Sequence, residues 1–186
     1  IFNHSVKRGI IIDEWKLGNI TPIPKIQNPI EPSDMRPIAI TSTPCKIMER
    51  IIAKHILSIV RDALLSNKQY GFLPGRCTTD ALIKVLDDWG RAIDNGDTRI
   101  IAIFFDFAKA FDLVRHHRLL TKISPILPQW LINWIAAWLS GRKQRVIYRG
   151  KPTQWRDVLA GVIQGSVLGP VLFLLFIMDI NDYLPE

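Results

Sequence analysis

One continuous apolar run, residues 99–107 (RIIAIFFDF), contains a single carboxylate, Asp106, near its end. Such a run is typical of a strand that is buried on both faces of a sheet. An ionised carboxylate in apolar surroundings is costly unless another group compensates its charge. A divalent metal such as Mg²⁺ would do so, because it takes oxygen ligands and often shares them with substrate phosphate. An Asp that caps a strand-to-helix turn explains Asp106 equally well from the local sequence.

The rest of the chain alternates helical and extended patterns. Six prolines between Thr21 and Pro44 exclude a helix there and predict strands and turns. Apolar spacing and turn residues predict helices over residues 46–65, 79–93, 128–139 and 168–180, and a hairpin from residues 145–148 and 155–159. Strands and helices without regular βα alternation indicate an α+β fold.

Composition limits the class of protein. No apolar run is long enough to cross a membrane. The two cysteines, Cys45 and Cys77, have no ligand spacing, so we expect two buried free thiols in a reducing, intracellular compartment.

Positive charge and tryptophan are concentrated in the middle of the chain. Residues 101–150 hold eight Lys/Arg against two acids, which fits a polyanion partner or a solvated surface. Trp130, Trp134 and Trp138 follow one another at four-residue steps, as they would in a packed core or a base-stacking stripe. We expect the core.

Seven segments carry a resemblance to a known family. They are 20–25 (ITPIPK), 33–40 (SDMRPIAI), 69–82 (QYGFLPGRCTTDAL), 104–112 (FFDFAKAFD), 138–146 (WLSGRKQRV), 161–173 (GVIQGSVLGPVLF) and 174–184 (LLFIMDINDYL). Together they resemble, in order, the conserved blocks of reverse transcriptases. The segment 138–146 is similar to a spacer of the non-LTR (LINE-type) retrotransposon enzymes. The departures are Ile163 and Ile12, which stand where the family usually has proline.

This resemblance implies a right-hand polymerase fold. Residues 1–98 would form the fingers subdomain, and residues 99–186 a partial palm. An aromatic-Ala-Asp-Asp hairpin with the second catalytic carboxylate would follow Glu186, so we expect the chain to stop before that hairpin. The rest of the palm and the thumb of a parent polyprotein would then be missing, and the chain alone would be inactive.

The resemblance also implies a catalytic centre. Asp106 corresponds to the first catalytic carboxylate, which with the main-chain oxygen of Phe107 would bind two Mg²⁺ ions. Phe111 corresponds to the aromatic residue under the incoming sugar, where its ring would disfavour a ribose 2′ hydroxyl; an ordinary core Phe is the alternative. The amides around Lys109 and Ala110 are expected to begin a helix and to face phosphate.

Further positions would bind the dNTP and the template. Arg36, and with a weaker match Lys25, correspond to the cations that hold the triphosphate. Gln164 and Gly165 would lie against the nucleotide and the template base. Gly75 and Arg76 would contact the template strand, although a plain surface loop fits them nearly as well.

The function implied is RNA-templated extension of a DNA 3′ end with dNTPs. A parent that primes on nicked genomic DNA would act in the nucleus. A non-catalytic nucleic-acid-binding remnant of such an element is the alternative. A group II intron maturase would share the fold, but the segment 138–146 argues against it.

Overall fold

The computed structural model of the chain describes residues 1–64, 69–96 and 99–183. Its α-helices are α1 (Phe2–Arg8), α2 (Thr43–Leu64), α3 (Thr78–Asp94), α4 (His116–Ile123), α5 (Gln129–Leu139) and α6 (Leu168–Ile177). Its strands are β1 (Leu17–Pro24), β2 (Met35–Ile40), β3 (Lys143–Tyr148), β4 (Lys151–Pro152) and β5 (Arg156–Asp157). Short 3₁₀ turns cover Asp13–Lys16, Pro32–Asp34 and Ile180–Tyr183. Four predicted limits, Leu65, Thr98, Leu184 and Glu186, lie outside the described residues.

The four predicted helices correspond to α2, α3, α5 and α6, and the proline-rich segment forms β1 and β2. α2 begins at Thr43, three positions before the expected start. The predicted hairpin is also present. The end of β3 pairs with β4, and the start of β3 pairs with β5, both antiparallel. These elements give the mixed helix and strand content that the sequence predicts.

The sheet has the order β2-β1-β3-β4, and β5 pairs with β3 beside β4. β1 runs antiparallel to β2 and parallel to β3. The parallel pair requires a long crossover, which the helices between residues 43 and 139 supply. The crossover brings β3 beside the proline-rich pair.

The core lies between the helices. α2 buries every third or fourth residue, which fits an amphipathic helix; these residues are Cys45, Met48, Ile52, Ile56 and Val60. Trp134 and Trp138 of α5 are fully buried, so for these two rings the expectation of packed core is confirmed, whereas Trp130 remains 40% exposed. α4 packs against both α5 and α6.

The chain divides into two compact units, Ile1–Val60 with Lys109–Glu186, and Arg61–Ala108. The first unit contains the sheet and most of the buried residues. The second contains the end of α2, a turn at residues 71–76, α3 and the segment leading to Ala108. Division into fingers and palm at residues 98 and 99 stays a prediction.

The predicted buried strand at residues 99–107 is wrong for this structure. These residues have no regular secondary structure, and their side chains are largely exposed, Ile101 by 85% and Phe104 by 88%. A strand needs backbone partners at its edges, and no described strand pairs with this segment. Its apolar composition alone is therefore not sufficient to form a strand.

The cysteine prediction is half correct. Both thiols are free, and Cys45 is buried, but Cys77 is exposed where α3 begins. Cys77 stands at the N-terminal boundary of a helix that has no buried residue, which explains its exposure.

No helix in the part of the chain that the structure describes combines the length and the apolar character needed to cross a bilayer.

The two thiols are predicted to differ in reactivity. Burial, followed by the charge of Glu49 and a hydrogen bond to it, raises the pKa of Cys45 to about 12. Because the thiolate is the nucleophile, an alkylating reagent at about pH 8 should label Cys77 and leave Cys45 unmodified in the folded protein. Mass spectrometry of tryptic peptides measures both. Protein unfolded in urea should be labelled at both positions, and equal labelling of the folded protein would contradict this assignment.

Candidate functional site

A loop at residues 161–165, here called the glycine loop, is bound to the turn that precedes α4. The Val162 amide donates to the Phe111 carbonyl at 2.9 Å, and the Gly161 amide donates to the Val114 carbonyl at 2.8 Å. Gly161 has a φ of +90°, and a Cβ there would lie 3.0 Å from the Asp112 carbonyl oxygen. The close approach of the two backbones therefore requires glycine at this position.

On its other side the glycine loop contacts β2. The Ala39 amide donates to the Gln164 carbonyl at 2.7 Å. Gly165 has a φ of +97°, and a Cβ on it would lie only 2.6 Å from the Ala39 carbonyl oxygen. The Gln164-Gly165 backbone is thus fixed between two elements that are far apart in sequence.

Two further side chains reach the glycine loop, Asp112 from the turn before α4 and His116 from the first position of α4. Gln164 Nε2 lies 3.5 Å from Asp112 Oδ1, within reach of a weak hydrogen bond. His116 Nε2 lies 2.9 Å from the Gly161 carbonyl oxygen, so the Nε2-protonated ring donates to it. These contacts orient both ends of the loop.

A cavity of about 280 Å³ opens beside Gln164. Its lining comes from the sheet, the glycine loop and the residues before it: Ile20, Pro37, Ala39, Asp112, Gln144, Val158, Ala160, Gly161, Val162, Ile163 and Gln164. The lining is mainly apolar, with Gln164, Gln144 and Asp112 as its polar side chains. Such a cavity suits a flat, partly apolar group with a few hydrogen-bonding positions.

The sugar-contacting candidate, Phe111, belongs to the same unit. Its ring stacks on Phe173 of α6, with centroids 4.9 Å apart and an interplanar angle of 18°. α6 directly follows the glycine loop, so Phe111 is connected to that loop both through its carbonyl and through its ring.

The expected helix start at Lys109 and Ala110 is wrong. The amides of Asp112 and Leu113 both donate to the Lys109 carbonyl, which closes a turn, and α4 begins only at His116. Lys109 has a φ of +54°, outside the helical region, and this interrupts any helix at that point.

The two candidate phosphate-binding cations lie on or next to β1 and β2. Arg36 is exposed and shares a face of β2 with Ile38, whose Cγ2 would lie 3.1 Å from a Cβ on Gly165. Lys25 donates to the Ser33 carbonyl at 2.8 Å. Arg36 therefore lies on the face of β2 that carries Ile38, whereas Pro37 and Ala39 of the opposite face line the cavity. Lys25 hydrogen-bonds within the turn between the strands.

That turn is ordered by Asp34. Its Oδ2 accepts from the amides of Ile30 and Glu31 at 2.9 and 3.0 Å. The bond from Glu31, and then the one from Ile30, lower the pKa of Asp34 because they stabilise the ionised carboxylate.

A buried carboxylate, Glu49 of α2, supports the start of α6. Its Oε2 accepts from the amides of Val167 and Leu168 at 2.7 and 3.3 Å. Its Oε1 accepts from Trp138 Nε1 at 3.3 Å and from the Cys45 thiol at 3.2 Å. Amides at a helix start lack partners within the helix, so this carboxylate fixes the position at which α6 follows the glycine loop.

Arg142 completes this buried region. Its guanidinium donates to the carbonyls of Trp138 and Trp15 at 3.1 and 3.2 Å, and it lies 4.9 Å from the Trp138 ring centroid. Burial lowers the pKa of Arg142, and the neighbouring Cys45 and Glu49 oppose that shift. The arginine thereby connects the end of α5 to the segment before β1.

Four predicted site residues belong to the second unit. Asp106 and Phe107 are exposed and lie in the segment without regular structure. Gly75 has a φ of +80° with open space around it, and the Arg76 guanidinium lies 5.1 Å from the Tyr70 ring centroid. That Asp106 joins Arg36 and Gln164 at one site stays a prediction.

Metal ligands are sparse. Within residues 1–64, 69–96 and 99–183, no three His, Cys, Asp or Glu side chains gather into a group that could hold a metal ion. That Asp106 and the Phe107 carbonyl bind a metal ion stays a prediction.

Sequence reasoning missed Asp112, His116 and Glu49. Glu49 had a detectable signal, because it lies between Cys45 and Ile52 at helical spacing, on the apolar face of α2. A carboxylate on such a face indicates a buried hydrogen-bonding role. No pattern identified Asp112 or His116, since their contacts depend on the fold around the glycine loop.

Comparisons with known proteins agree in their result. A family model described as "Reverse transcriptase (RNA-dependent DNA polymerase)" matches residues 23–186. The chain is 35% identical to the probable RNA-directed DNA polymerase from transposon X-element of Drosophila melanogaster, over 96% of its length and 20% of that protein. The chain is also 31% identical to the RNA-directed DNA polymerase from mobile element jockey of the same species. That match covers 100% of the chain and 20% of the jockey protein. A retrovirus-related Pol polyprotein from type-1 retrotransposable element R2 of Popillia japonica is 27% identical, over 89% of the chain and 23% of that protein. The chain thus spans about a fifth of the length of the curated relatives named here.

Gly165→Ala should destabilise the protein more than Gly150→Ala. Both glycines have positive φ, +97° and +76°, but only Gly165 faces a backbone atom, since Gly150 has nothing within 4 Å. We expect roughly 1 kcal/mol of lost unfolding free energy for Gly150→Ala, from φ alone, and a clearly larger loss for Gly165→Ala. Urea denaturation measures both. Equal losses would show that the glycine loop does not pack against β2 as described.

Glu49→Gln should destabilise the protein, because the amide nitrogen replaces an acceptor that faces N–H donors. The expected cost is about 1–3 kcal/mol for each donor that loses its acceptor. Glu14→Gln, at an exposed position, is the matched control and should change the unfolding free energy by less than about 0.5 kcal/mol. Similar values for the two variants in urea denaturation would refute the role of Glu49.

Proposed function

Because the chain belongs to the reverse transcriptase family, we propose that it supplies nucleotide-binding and catalytic residues to an RNA-directed DNA polymerase of the non-LTR retrotransposon type. The polymerase would extend a DNA 3′ end with dNTPs on an RNA template, by phosphoryl transfer with two metal ions. The similar X-element and jockey proteins are named as a probable RNA-directed DNA polymerase and an RNA-directed DNA polymerase.

The fixed position of the glycine loop carries this proposal. Gln164 lies beside a cavity of about 280 Å³, and its backbone is bound to β2 and, through Val162, to the turn at Phe111. A polymerase has to hold the nucleotide and the template base in one geometry while the reaction proceeds, and a preorganised backbone serves this purpose.

Each remaining residue has a role that its chemistry allows. The exposed guanidinium of Arg36 would bind the triphosphate through paired charge-assisted hydrogen bonds and offset charge on the leaving pyrophosphate. Lys25 would add a second cation, and Ala110 a backbone contact. Phe111, held by Phe173, would pack under the deoxyribose and exclude a 2′ hydroxyl.

Template contacts are proposed for the turn at Gly75 and Arg76. Arg76 presents a cation beside the Tyr70 ring, and this combination can bind a phosphate and stack on a base. The RNA template, the DNA primer and the dNTP are the partners that this proposal implies.

Mg²⁺ is the cofactor implied, as two ions in the intact enzyme, where it would polarise the reacting phosphate. The Asp106 carboxylate and the Phe107 carbonyl are the ligands that this chain would contribute. Among the described residues no group of three such ligands gathers, and in this proposal the remaining carboxylates belong to other parts of the polymerase. We therefore propose that residues 1–186 alone are inactive.

A second candidate is a nucleic-acid-binding protein without catalysis. It is favoured by the net charge of +7 and by the exposure of Asp106. It predicts salt-dependent, sequence-independent binding and no nucleotide incorporation, even when the full reading frame is expressed.

Asp106→Asn in the full reading frame should abolish dNTP incorporation on poly(rA) primed with oligo(dT). Asn keeps the shape but loses the charge, and loss of one charge-stabilising group costs about a hundredfold in rate or more. Asp94→Asn, which also removes an exposed carboxylate from the second unit, is the control and should retain activity.

If Asp106→Asn and Asp94→Asn incorporate labelled dTTP equally, the catalytic assignment of Asp106 is wrong. If the unmodified full-frame protein binds the primed template but incorporates nothing, the non-catalytic alternative is correct. Expression of residues 1–186 alone beside the full frame tests the proposed inactivity of the shorter chain.

A further inference from the structure

The hairpin of β3 and β4, extended to β5, carries a concentrated positive charge. Residues 143–156 contain five Lys/Arg and no Asp or Glu: Lys143, Arg145, Arg149, Lys151 and Arg156. All five are exposed except Arg145, which is half-buried. The nearest carboxylate, Asp157, lies 4.0 Å from Lys143. This surface attracts a polyanion.

Aromatic rings alternate with these cations. The Arg145 guanidinium lies 4.5 Å from the Trp155 ring centroid, and the Arg149 guanidinium lies 5.3 Å from that of Tyr148. Tyr148 is 54% exposed and Trp155 is 37% exposed, so a ligand can reach both rings. Arg145 Nε also donates to Asn19 at 2.9 Å, which fixes its guanidinium against β1.

The hairpin tip has an unusual residue at its turn. Tyr148 pairs with Lys151, so Arg149 and Gly150 form a two-residue turn with φ values of +49° and +76°. Turns with two positive φ values favour Asn-Gly, and an arginine there is strained. A strained backbone that places a cation at an exposed tip points to function rather than to stability.

We propose that this surface, here called the hairpin surface (Arg145, Tyr148, Arg149, Lys151 and Trp155), binds single-stranded polynucleotide outside the glycine-loop site. The cations would contact phosphates, and the rings would stack on unpaired bases. An acidic protein would use the charge but not the rings. The inference rests on the proposed function for the source of the strand, which is template RNA or displaced DNA.

The test measures binding without nucleotides, using the protein in its full reading frame and labelled oligonucleotides in fluorescence anisotropy. The ligands are oligo(rU), oligo(dT) of equal length and an RNA duplex. Arg149→Asn with Lys151→Gln removes two cations, and Asn tolerates positive φ, so thermal stability should stay equal or rise. Arg50→Gln with Lys54→Gln, on the exposed face of α2, removes the same charge elsewhere.

We expect the hairpin double variant to bind single strands roughly tenfold more weakly. The slope of log K against log salt should fall by about 1.4, since each single-strand phosphate contact contributes about 0.7. The α2 control should leave that slope unchanged. Weaker binding of both oligo(rU) and oligo(dT) supports recognition of single strands in general. Weaker binding of oligo(rU) alone identifies template RNA as the ligand, and weaker binding of oligo(dT) alone identifies displaced DNA.

Tyr148→Thr tests the stacking without a change in charge. It should weaken single-strand binding at least about fivefold and up to roughly a hundredfold, because a stacked base contributes on the order of 1–3 kcal/mol, and leave duplex binding unaltered. The proposal is overturned if Tyr148→Thr binds normally, if the α2 control loses as much as the hairpin variant, or if the duplex loses as much as the single strands.

This experiment separates the two proposals. Asp106→Asn should bind all three oligonucleotides normally, since Asp106 lies outside the hairpin surface. If Asp106→Asn retains incorporation, the proposed function fails and the binding result stands. If the hairpin variants bind normally, the proposed binding role of the hairpin surface is wrong, and the incorporation result is unaffected.

Discussion

The Glu49 carboxylate accepts hydrogen bonds from three parts of the first unit. It bonds to Cys45 within α2, to Trp138 of α5 and to the first amides of α6. Since α6 begins directly after the glycine loop, the position of Gln164 and Gly165 depends on this buried group as well as on β2. A buried carboxylate is unfavourable unless its oxygens are satisfied, so the loss of any of these donors would weaken the compensation of its charge. The site geometry therefore depends on helix packing some distance from the cavity.

The sequence predicted the elements whose patterns are local. The apolar spacing of α2 and the tryptophan steps of α5 gave helices close to their observed limits. Residues 99–107 had an equally strong pattern, yet they form no strand. A helix satisfies its backbone hydrogen bonds internally, whereas a strand depends on partners that its own sequence does not specify. The wrong prediction for Cys77 has a similar cause, because burial of this thiol depends on other elements packing against α3, which its own sequence does not specify.

At the candidate site, the motifs identified the loop but not its supports. Gln164 and Gly165 were found by resemblance, and the glycine requirement has a local cause in the Ala39 carbonyl. Asp112 and His116 reach the loop across about 50 positions of sequence, and no spacing rule connects them. Contacts of this kind follow from the tertiary fold, so a single sequence gives them no periodic signal.

A metal ion at Asp106 would offset the cost of burying an ionised carboxylate in an apolar strand. In this structure Asp106 and its neighbours Phe104 and Phe105 are exposed, so water solvates the carboxylate and that cost is absent. Backbone partners along residues 99–107 would bury the phenylalanines and restore it. A carboxylate desolvated in this way requires a counter-charge, and a metal ion that also binds substrate phosphate supplies one. In this structure residues 99–107 form no strand and leave Asp106 exposed, so the apolar run by itself gives no reason for a metal ion at this carboxylate.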